Sequence, residues 1–413
     1  MKLLIENFYN IKQAELDFKR FNILIGPQAA GKSLIAKVLY FLNESILTNH
    51  LTHSTSTEQI SQDTFNLFHS IFETKTLQKN FSINIFATNN YSYSFNQDGL
   101  STPKNDPIKE IINKNYTSLE KEILDGIKKT VSGLKRIDIN SKELEEDPLY
   151  QKLYQDFLTT LADSTNYLPT KKHLFIPASR ALVNILQDNS FWVTNEGVDI
   201  ILSRFGKRYF SNLKTLTAKN NFSCPELQDL IKGEVQHTTS GYSITNTEHQ
   251  VSLHNASSGQ QAIVPLLIAL HESAIPYQDR YIEEPEAHIF PDAQHSLIKY
   301  IAKTHNQTKG QMTITTHSPY ILTAVNNLIY AGTVGKQSAE KAAKVRNIIP
   351  ENQWLNAEDV AAYMVEADGT VRSIMDKDTG LIDADSIDDV SGKIGTEFDQ
   401  LLDIEYEEGA ANG

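Results

Sequence analysis

One cysteine, Cys224, stands in 413 residues. No disulfide can close within the chain, and no cysteine-based zinc site can form. No stretch approaches the ~18 consecutive apolar residues of a membrane-spanning helix, so a membrane partner is not expected. The opening MKLLIENFYN has no long apolar run followed by a small-residue cleavage site, so no secretory signal peptide is expected. Together these absences point to the cytoplasm. Excess positive charge is missing too: 38 Lys and Arg stand against 51 Asp and Glu, a net charge of −13. From Asp376 onward there are twelve acidic residues and two lysines, so that stretch carries −10 and the rest −3. Such a balance disfavours non-specific nucleic-acid binding. A folded surface can still gather a basic patch, so DNA is a partner that the charge does not indicate but does not exclude.

What is present is alternation and apolar periodicity. Leu3, Ile5 and the pair Phe8/Tyr9 open a strand and turn, and residues 14–18 read as a second strand. Phe21–Ile25 is a short apolar run ending at a glycine, which suits a buried strand. Leu34, Ile35, Val38, Leu39 and Leu42 then recur at helical spacing. Residues 81–86 and 91–95 read as an antiparallel pair, followed by the turn Asn96-Gln97-Asp98-Gly99. Residues 105–165 have helical spacing and read as an insertion. Residues 173–176 form a short strand, 181–186 and 198–205 helices, 235–245 and 251–253 strands, and 260–271 a strongly apolar helix. The last alternation is a short strand at Tyr281-Ile282, a helix at 297–301 and a strand at 312–315.

Four motifs carry chemistry. Gly26-Pro27-Gln28-Ala29-Ala30-Gly31-Lys32-Ser33 fits GxxxxGKS between a strand and a helix, and Leu34 follows it inside that helix. Backbone amides in such a loop, with a helix N-terminus behind them, cradle phosphate oxygens. Lys32 reaches the β- and γ-phosphates and Ser33 holds Mg²⁺ in such a motif. In Ile282-Glu283-Glu284-Pro285-Glu286, a strand-end carboxylate, Glu283, can complete a Mg²⁺ shell. The next one, Glu284, can act as general base on the attacking water. Thr315-Thr316-His317-Ser318-Pro319 places a histidine at a strand end, where it can hydrogen-bond the γ-phosphate or the water. Asn255-Ala256-Ser257-Ser258-Gly259-Gln260-Gln261 precedes the apolar helix. A simple N-cap by Ser257 or Ser258 and an anion site at the helix N-terminus are compatible readings of it.

The order GPQAAGKS, ASSGQQ, EEPEAH, TTHSP resembles the ABC-type P-loop ATPases of the SMC/RecF/OLD-like branch, over residues 1–100 and 230–330. The resemblance implies an α/β fold: a P-loop NTPase, ABC-type head with N-terminal antiparallel strands and a helical insertion. It implies an ATPase lobe with the P-loop (1–104), a mainly helical insertion (105–232), a second ATPase lobe (233–350) and an acidic C-terminal segment (351–413) packing on the head or a partner. It further implies ATP and Mg²⁺ as cofactors, Glu284 and His317 as catalytic residues, and Ser33 with Glu283 as metal ligands. Ser257, Ser258, Gly259 and Gln260 would act in trans as the signature motif of a second head. Self-association as a head-to-head dimer, or a higher homo-oligomer, follows. Similarity to the PARIS-like and Septu-like ATPases implies a sensor-regulator of anti-phage defence that controls a separate nuclease or toxin. A RecF-like DNA-processing ATPase and an OLD-like nuclease, using Asp383 and Asp385, are the alternatives.

Departures from the pattern are plain. Gln97 is the Q-loop candidate but reads first as a hairpin turn. Gln28 replaces the asparagine common in related loops, and Ala256 replaces the leading leucine of the signature. No long heptad run appears in 105–235, so an SMC-length coiled coil is not expected. Ile176-Pro177-Ala178-Ser179-Arg180 ends a strand, and Arg180 is read either as a contact to nucleotide or partner or as a surface salt bridge. The apolar residues Ile387, Val390, Ile394, Phe398, Leu401 and Leu402 have the spacing of an amphipathic helix.

Overall fold

The computed structural model describes residues 1–51, 57–72, 77–78, 80–88, 91–101, 172–185, 199–218, 225–238, 241–271, 278–383, 396 and 400. Strands β1 (Lys2–Phe8), β2 (Ile11–Asp17), β4 (Ser82–Thr88), β5 (Tyr91–Asn96) and β6 (Gly99–Ser101) form an antiparallel sheet in the order β2-β1-β4-β5-β6. Its inner face meets helices α1 (Lys32–Leu51) and α2 (Thr57–Ile71) through an aromatic cluster. Phe68 and Phe95 lie 4.7 Å apart between ring centres, and Phe41 and Phe95 5.0 Å. Each such pair contributes about 0.5–1.5 kcal/mol beyond its burial.

Strands β8 (Glu234–Thr238), β9 (Gly241–Thr245) and β10 (Gln250–Ser252) form a small antiparallel sheet in the order β10-β9-β8. The third sheet carries the functional loops. Its order is β14-β13-β3-β12-β11-β7, with β3 at Phe21–Ile25, β7 at Lys172–Ile176, β11 at Gln278–Glu283, β12 at Met312–Thr316, β13 at Val360–Val365 and β14 at Val371–Ser373. Neighbours from β13 to β7 run parallel, and β14 runs antiparallel at the edge. A parallel sheet covered on both faces needs near-continuous apolar strands. In β3, Phe21, Ile23 and Ile25 face one core and Leu24 the other, the alternation of a pleated strand. The first core packs against α6 (Ser258–His271), α7 (Pro291–Asn306) and α8 (Pro319–Gly335), and the second against α1 and the antiparallel sheet. The register sets Ile25 opposite Thr316, and Thr315 opposite Glu283. The loops after β3, β12 and β11 therefore leave one edge at one level, where open α/β sheets bind ligands.

Several elements differ from the sequence reading. Strand β11 is not the two-residue strand expected at Tyr281-Ile282: Gln278, Asp279 and Arg280 belong to it and are buried. Tertiary partners make this tolerable. Asp279 Oδ1 accepts the Gln311 amide at 2.8 Å, and Arg280 Nη1 donates to the Thr308 hydroxyl at 3.0 Å. His173 lies 3.7 Å from Asp279, but burial pushes its pKa down to about 3, so the two make no ion pair near neutrality. Within the expected insertion, β7 is the edge strand of the central sheet, and the helix expected at 198–205 runs as α4 (Ile200–Ala218). Between them lie a 3₁₀ turn (Ala178–Ala181) and α3 (Leu182–Ile185), and α5 (Pro225–Ile231) follows α4. Strand β13, from the expected C-terminal segment, pairs with β3 at the centre of the sheet. Gln97 is exposed in the β5–β6 turn, where the Asp98 amide donates to Asn96 Oδ1 at 2.8 Å. Most of the helical insertion, Asp385 and the apolar positions between 387 and 402 lie outside the described residues. Among the described residues no helix is long and apolar enough to cross a membrane.

Candidate functional site

The loop from Gly26 to Ser33 turns sharply between β3 and α1. Gly26 has φ 151° and Gly31 φ 112°, conformations that L-residues rarely adopt. A Cβ on Gly26 would run into the Val365 carbonyl of β13, and one on Gly31 into the Ile11 side chain. Asn10 Nδ2 donates to the Ala29 carbonyl at 2.7 Å, and Ala29 itself has φ 61°. Lys32 begins α1, and no acidic residue stands in that helix's first turn, which leaves the N-terminal helix dipole for an anion. Lys32 is 4% exposed. It donates to Gly26 O at 2.9 Å and Pro27 O at 2.7 Å, and lies 3.3 Å from His317 Nδ1. Burial lowers its pKa to about 8, against the opposing pull of Glu284 and Glu286.

Opposite this loop stand the carboxylates at the end of β11. Glu283 is buried, and burial raises its pKa, while the Ala178 amide, Lys37 and the Ser33 hydroxyl pull the other way. Its Oε2 accepts the Ala178 amide at 3.0 Å, and its buried Oε1 has no hydrogen-bond partner. An orphaned carboxylate oxygen near a serine hydroxyl fits a hard divalent cation, which takes oxygen ligands. Among the described residues no three His, Cys, Asp or Glu gather as a cage. A serine hydroxyl beside one carboxylate suits Mg²⁺, which uses one or two protein ligands and completes its shell with phosphate and water.

Glu284 has φ 42°. Its amide donates to Thr315 O at 2.9 Å, and its Oε1 lies 3.2 Å from His317 Nε2. Both side chains are 34% exposed, so water reaches them. His317 is held from behind by Glu286, whose Oε1 accepts the His317 amide at 2.7 Å and the Thr316 hydroxyl at 2.6 Å. Sequence reasoning assigned Glu286 no role; the signal available was its place two residues after Glu284. The structure thus brings Lys32, Glu284, Glu286 and His317 into one chain of polar contacts.

Ser257, Ser258, Gly259 and Gln260 open α6. Ser257 Oγ accepts the Gln260 amide at 3.3 Å, and Gln260 Oε1 accepts the Ser257 amide at 3.2 Å, a reciprocal capping box. Gln260 Nε2 donates to Ile231 O at 2.9 Å. A Cβ on Gly259 would sit 2.9 Å from the His288 carbonyl, so that close approach requires glycine. Ser257 and Ser258 are exposed, and among the described residues no hydrogen bond joins these four to the loop at Gly26–Ser33.

Neither sequence reading of Arg180 holds. Its side chain is 0% exposed, which excludes a surface salt bridge and a contact to another molecule. Its guanidinium donates to backbone carbonyls of α6 and of the β11 end, including Ala262 at 2.9 Å and Glu283 at 2.8 Å. Burial lowers its pKa to about 10, with Glu286, Glu284 and Glu283 pulling it up, so it stays charged near neutrality.

Comparison with known proteins places these features in context. The family model described as AAA ATPase domain matches residues 1–322. No curated protein matches the chain. Among solved structures the chain is similar to an Smc head bound to the C-winged helix domain of ScpA, with 12% identity and TM-score 0.39 over 78% of this chain and 90% of that one. It is similar to an Smc head with an extended coiled coil bound to the C-terminal domain of ScpA, derived from Pyrococcus furiosus (12% identity, TM-score 0.34, 90% and 95% covered). An SMC head domain from Thermotoga maritima gives 11% identity and TM-score 0.33 over 78% and 90%. The family match and the parallel sheet with its loop after β3 agree on a P-loop NTPase α/β fold.

Proposed function

The chain belongs to the AAA ATPase domain family, and from that premise we propose that it is a nucleotide-gated switch that hydrolyses ATP between two closed heads. The observation that carries this reading is the contact chain from Lys32 through His317 to Glu284, at 3.3 and 3.2 Å, beside the glycine loop. The loop amides and the α1 N-terminus bind the phosphates, and Lys32 balances charge that develops on the terminal phosphoryl group. Glu284 takes the proton of the attacking water. His317, fixed at its backbone by Glu286, orients that carboxylate and presents its ring to the γ-phosphate. Ser33 and Glu283 would hold Mg²⁺, which neutralises phosphate charge when bound.

The exposed Ser257 and Ser258, with Gly259 and Gln260, meet the nucleotide of a second head, so that ATP joins two copies and hydrolysis separates them. Such a ligand shifts a two-state equilibrium by binding the closed state better. The similarity to PARIS-like and Septu-like ATPases suggests the finer role: a sensor-regulator of anti-phage defence whose closed state holds or releases a nuclease or toxin.

The test is ATP-dependent self-association by light scattering with ATPase rates alongside. Glu284→Gln loses turnover and accumulates an ATP-bound assembly, and Ser257→Arg blocks that assembly. Equal turnover by wild type and Glu284→Gln, with association indifferent to ATP, sinks the proposal. On the same proteins, a nuclease or toxin partner that co-purifies equally in both nucleotide states removes the regulator role.

A further inference from the structure

Pro265 lies inside α6. It has no amide hydrogen, so the Gln261 carbonyl four residues back loses its helical donor. A buried carbonyl needs another partner. Gln261 O accepts from Asn184 Nδ2 at 2.7 Å, and the next carbonyl, Ala262 O, accepts from Arg180 Nε at 2.9 Å. The other edge of the same guanidinium reaches the candidate site. Nη1 donates to Glu283 O at 2.8 Å and Pro177 O at 3.4 Å; Nη2 donates to Glu284 O at 2.9 Å and Pro285 O at 3.3 Å. One buried side chain therefore spans the helix that begins at Ser258 and the peptide that carries Glu284.

That peptide needs holding. Glu284 has φ 42°, a left-handed conformation that an L-residue adopts only at a steric cost. Such a conformation persists only where its surroundings over-determine it. The Glu284 amide is fixed by Thr315 O at 2.9 Å and its carbonyl by Arg180. Released from this turn, the Glu284 side chain would no longer be aimed at His317 Nε2.

We propose that Arg180 is a positioning residue: its planar fork fixes the strained Glu284 peptide in the geometry for proton abstraction and ties that peptide to the helix meeting the second head. The inference rests on the reading of Glu284 as base and of the α6 N-terminus as the surface that closes on ATP. The fork matters more than the charge. Arginine presents five donors in fixed directions, whereas a lysine ammonium is a point charge that cannot span the Ala262, Glu283 and Glu284 carbonyls together.

The experiment measures kcat, equilibrium ATP binding and urea unfolding for the full chain in wild type, Arg180→Lys, Pro265→Ala and Glu284→Gln. Arg180→Lys is expected to stay folded and to bind ATP within about threefold of wild type, with kcat at least about tenfold lower. Pro265→Ala gives the Gln261 carbonyl a helical donor and shifts the turn gripped by Arg180. It reaches the same link without touching the guanidinium, and it too is expected to lower kcat more than affinity. Wild-type kcat in folded Arg180→Lys overturns the proposal, as does a fall in kcat matched by equal falls in affinity and stability. Should Arg180→Lys fail to fold, unchanged kcat in Pro265→Ala overturns the tie to α6. Glu284→Gln keeps the arms apart: if it turns over like wild type, the base assignment fails; if it is inactive while Arg180→Lys is active, only the positioning role fails.

Discussion

Removing Asn184 tests whether the proline in α6 dictates the polar contacts around it. Asn184 is 1% exposed and uses both ends of its amide: Nδ2 donates to Gln261 O at 2.7 Å, and Oδ1 accepts the Tyr209 hydroxyl at 2.8 Å. Tyr209 is fully buried, and burial holds its phenol well above its ordinary pKa, so it remains a neutral donor in need of an acceptor. Asn184→Ala strands two buried polar groups, each worth about 1–3 kcal/mol when unpaired, for a loss of about 2–6 kcal/mol. In a Pro265→Ala background the new amide at 265 serves Gln261 O, and only the Tyr209 hydroxyl is stranded. The cost of Asn184→Ala then falls by about 1–3 kcal/mol. Pro265→Ala also changes helix propensity and packing, but a double-mutant cycle cancels terms common to both backgrounds. The assay is urea unfolding of the four proteins without nucleotide, compared at equal m-values. If Asn184→Ala costs the same in both backgrounds, within about 0.5 kcal/mol, the freed carbonyl is not what holds Asn184 in place.

Two further predictions concern the glycine loop. Burial sets the Lys32 pKa near 8, whereas phosphate groups are already ionised above a pKa of about 6. Nucleotide binds the charged lysine, so affinity falls as pH rises through 8. Between pH 7 and 9 the loss is about tenfold, or about 1.4 kcal/mol; fluorescent-nucleotide titration reads it, and a flat profile contradicts it. Gly26→Ala forces a Cβ onto the Val365 backbone carbonyl, whereas at Gly31 the obstacle is the end of the Ile11 side chain, which can move. Overpacking and backbone strain of about 1–3 kcal/mol each make Gly26→Ala the costlier change in urea unfolding, and a larger loss at Gly31 counts against this account.

How much of this was legible beforehand depends on where each residue's partner lies. The glycine loop was readable because its chemistry is local: the glycines, Lys32 and Ser33 lie within eight residues, between an apolar strand and an apolar helix. Glu284 and His317 were readable as types, but their 3.2 Å meeting depends on β11 and β12 being neighbours in register. Strand β13 shows the same limit. Its apolar run Val360–Val365 is visible in the sequence, yet its pairing with β3 follows from topology, so the expected boundary at 350 falls ahead of a central strand. The polar start of β11 hid a buried strand because Asp279 and Arg280 are satisfied by Gln311 and Thr308, some thirty residues away.

Arg180 is the extreme case, since all its partners but the Pro177 carbonyl are backbone carbonyls 82 to 105 residues distant, and backbone groups leave no mark in composition. One local clue did exist. A proline inside a strongly apolar helix must free a carbonyl, and a freed buried carbonyl must be met by a donor from elsewhere. Apolar spacing alone predicts the helix at 260–271 and takes no account of Pro265. Taken as a demand rather than a blemish, Pro265 predicts a polar side chain docked against the first turns of α6. Asn184 meets the carbonyl that proline frees, and Arg180, four residues earlier in sequence, takes the next one and extends across to the Glu284 peptide. The irregularity in the helix thereby fixes where α6 is gripped, and the grip is what brings the helix N-terminus and the carboxylate pair under one side chain.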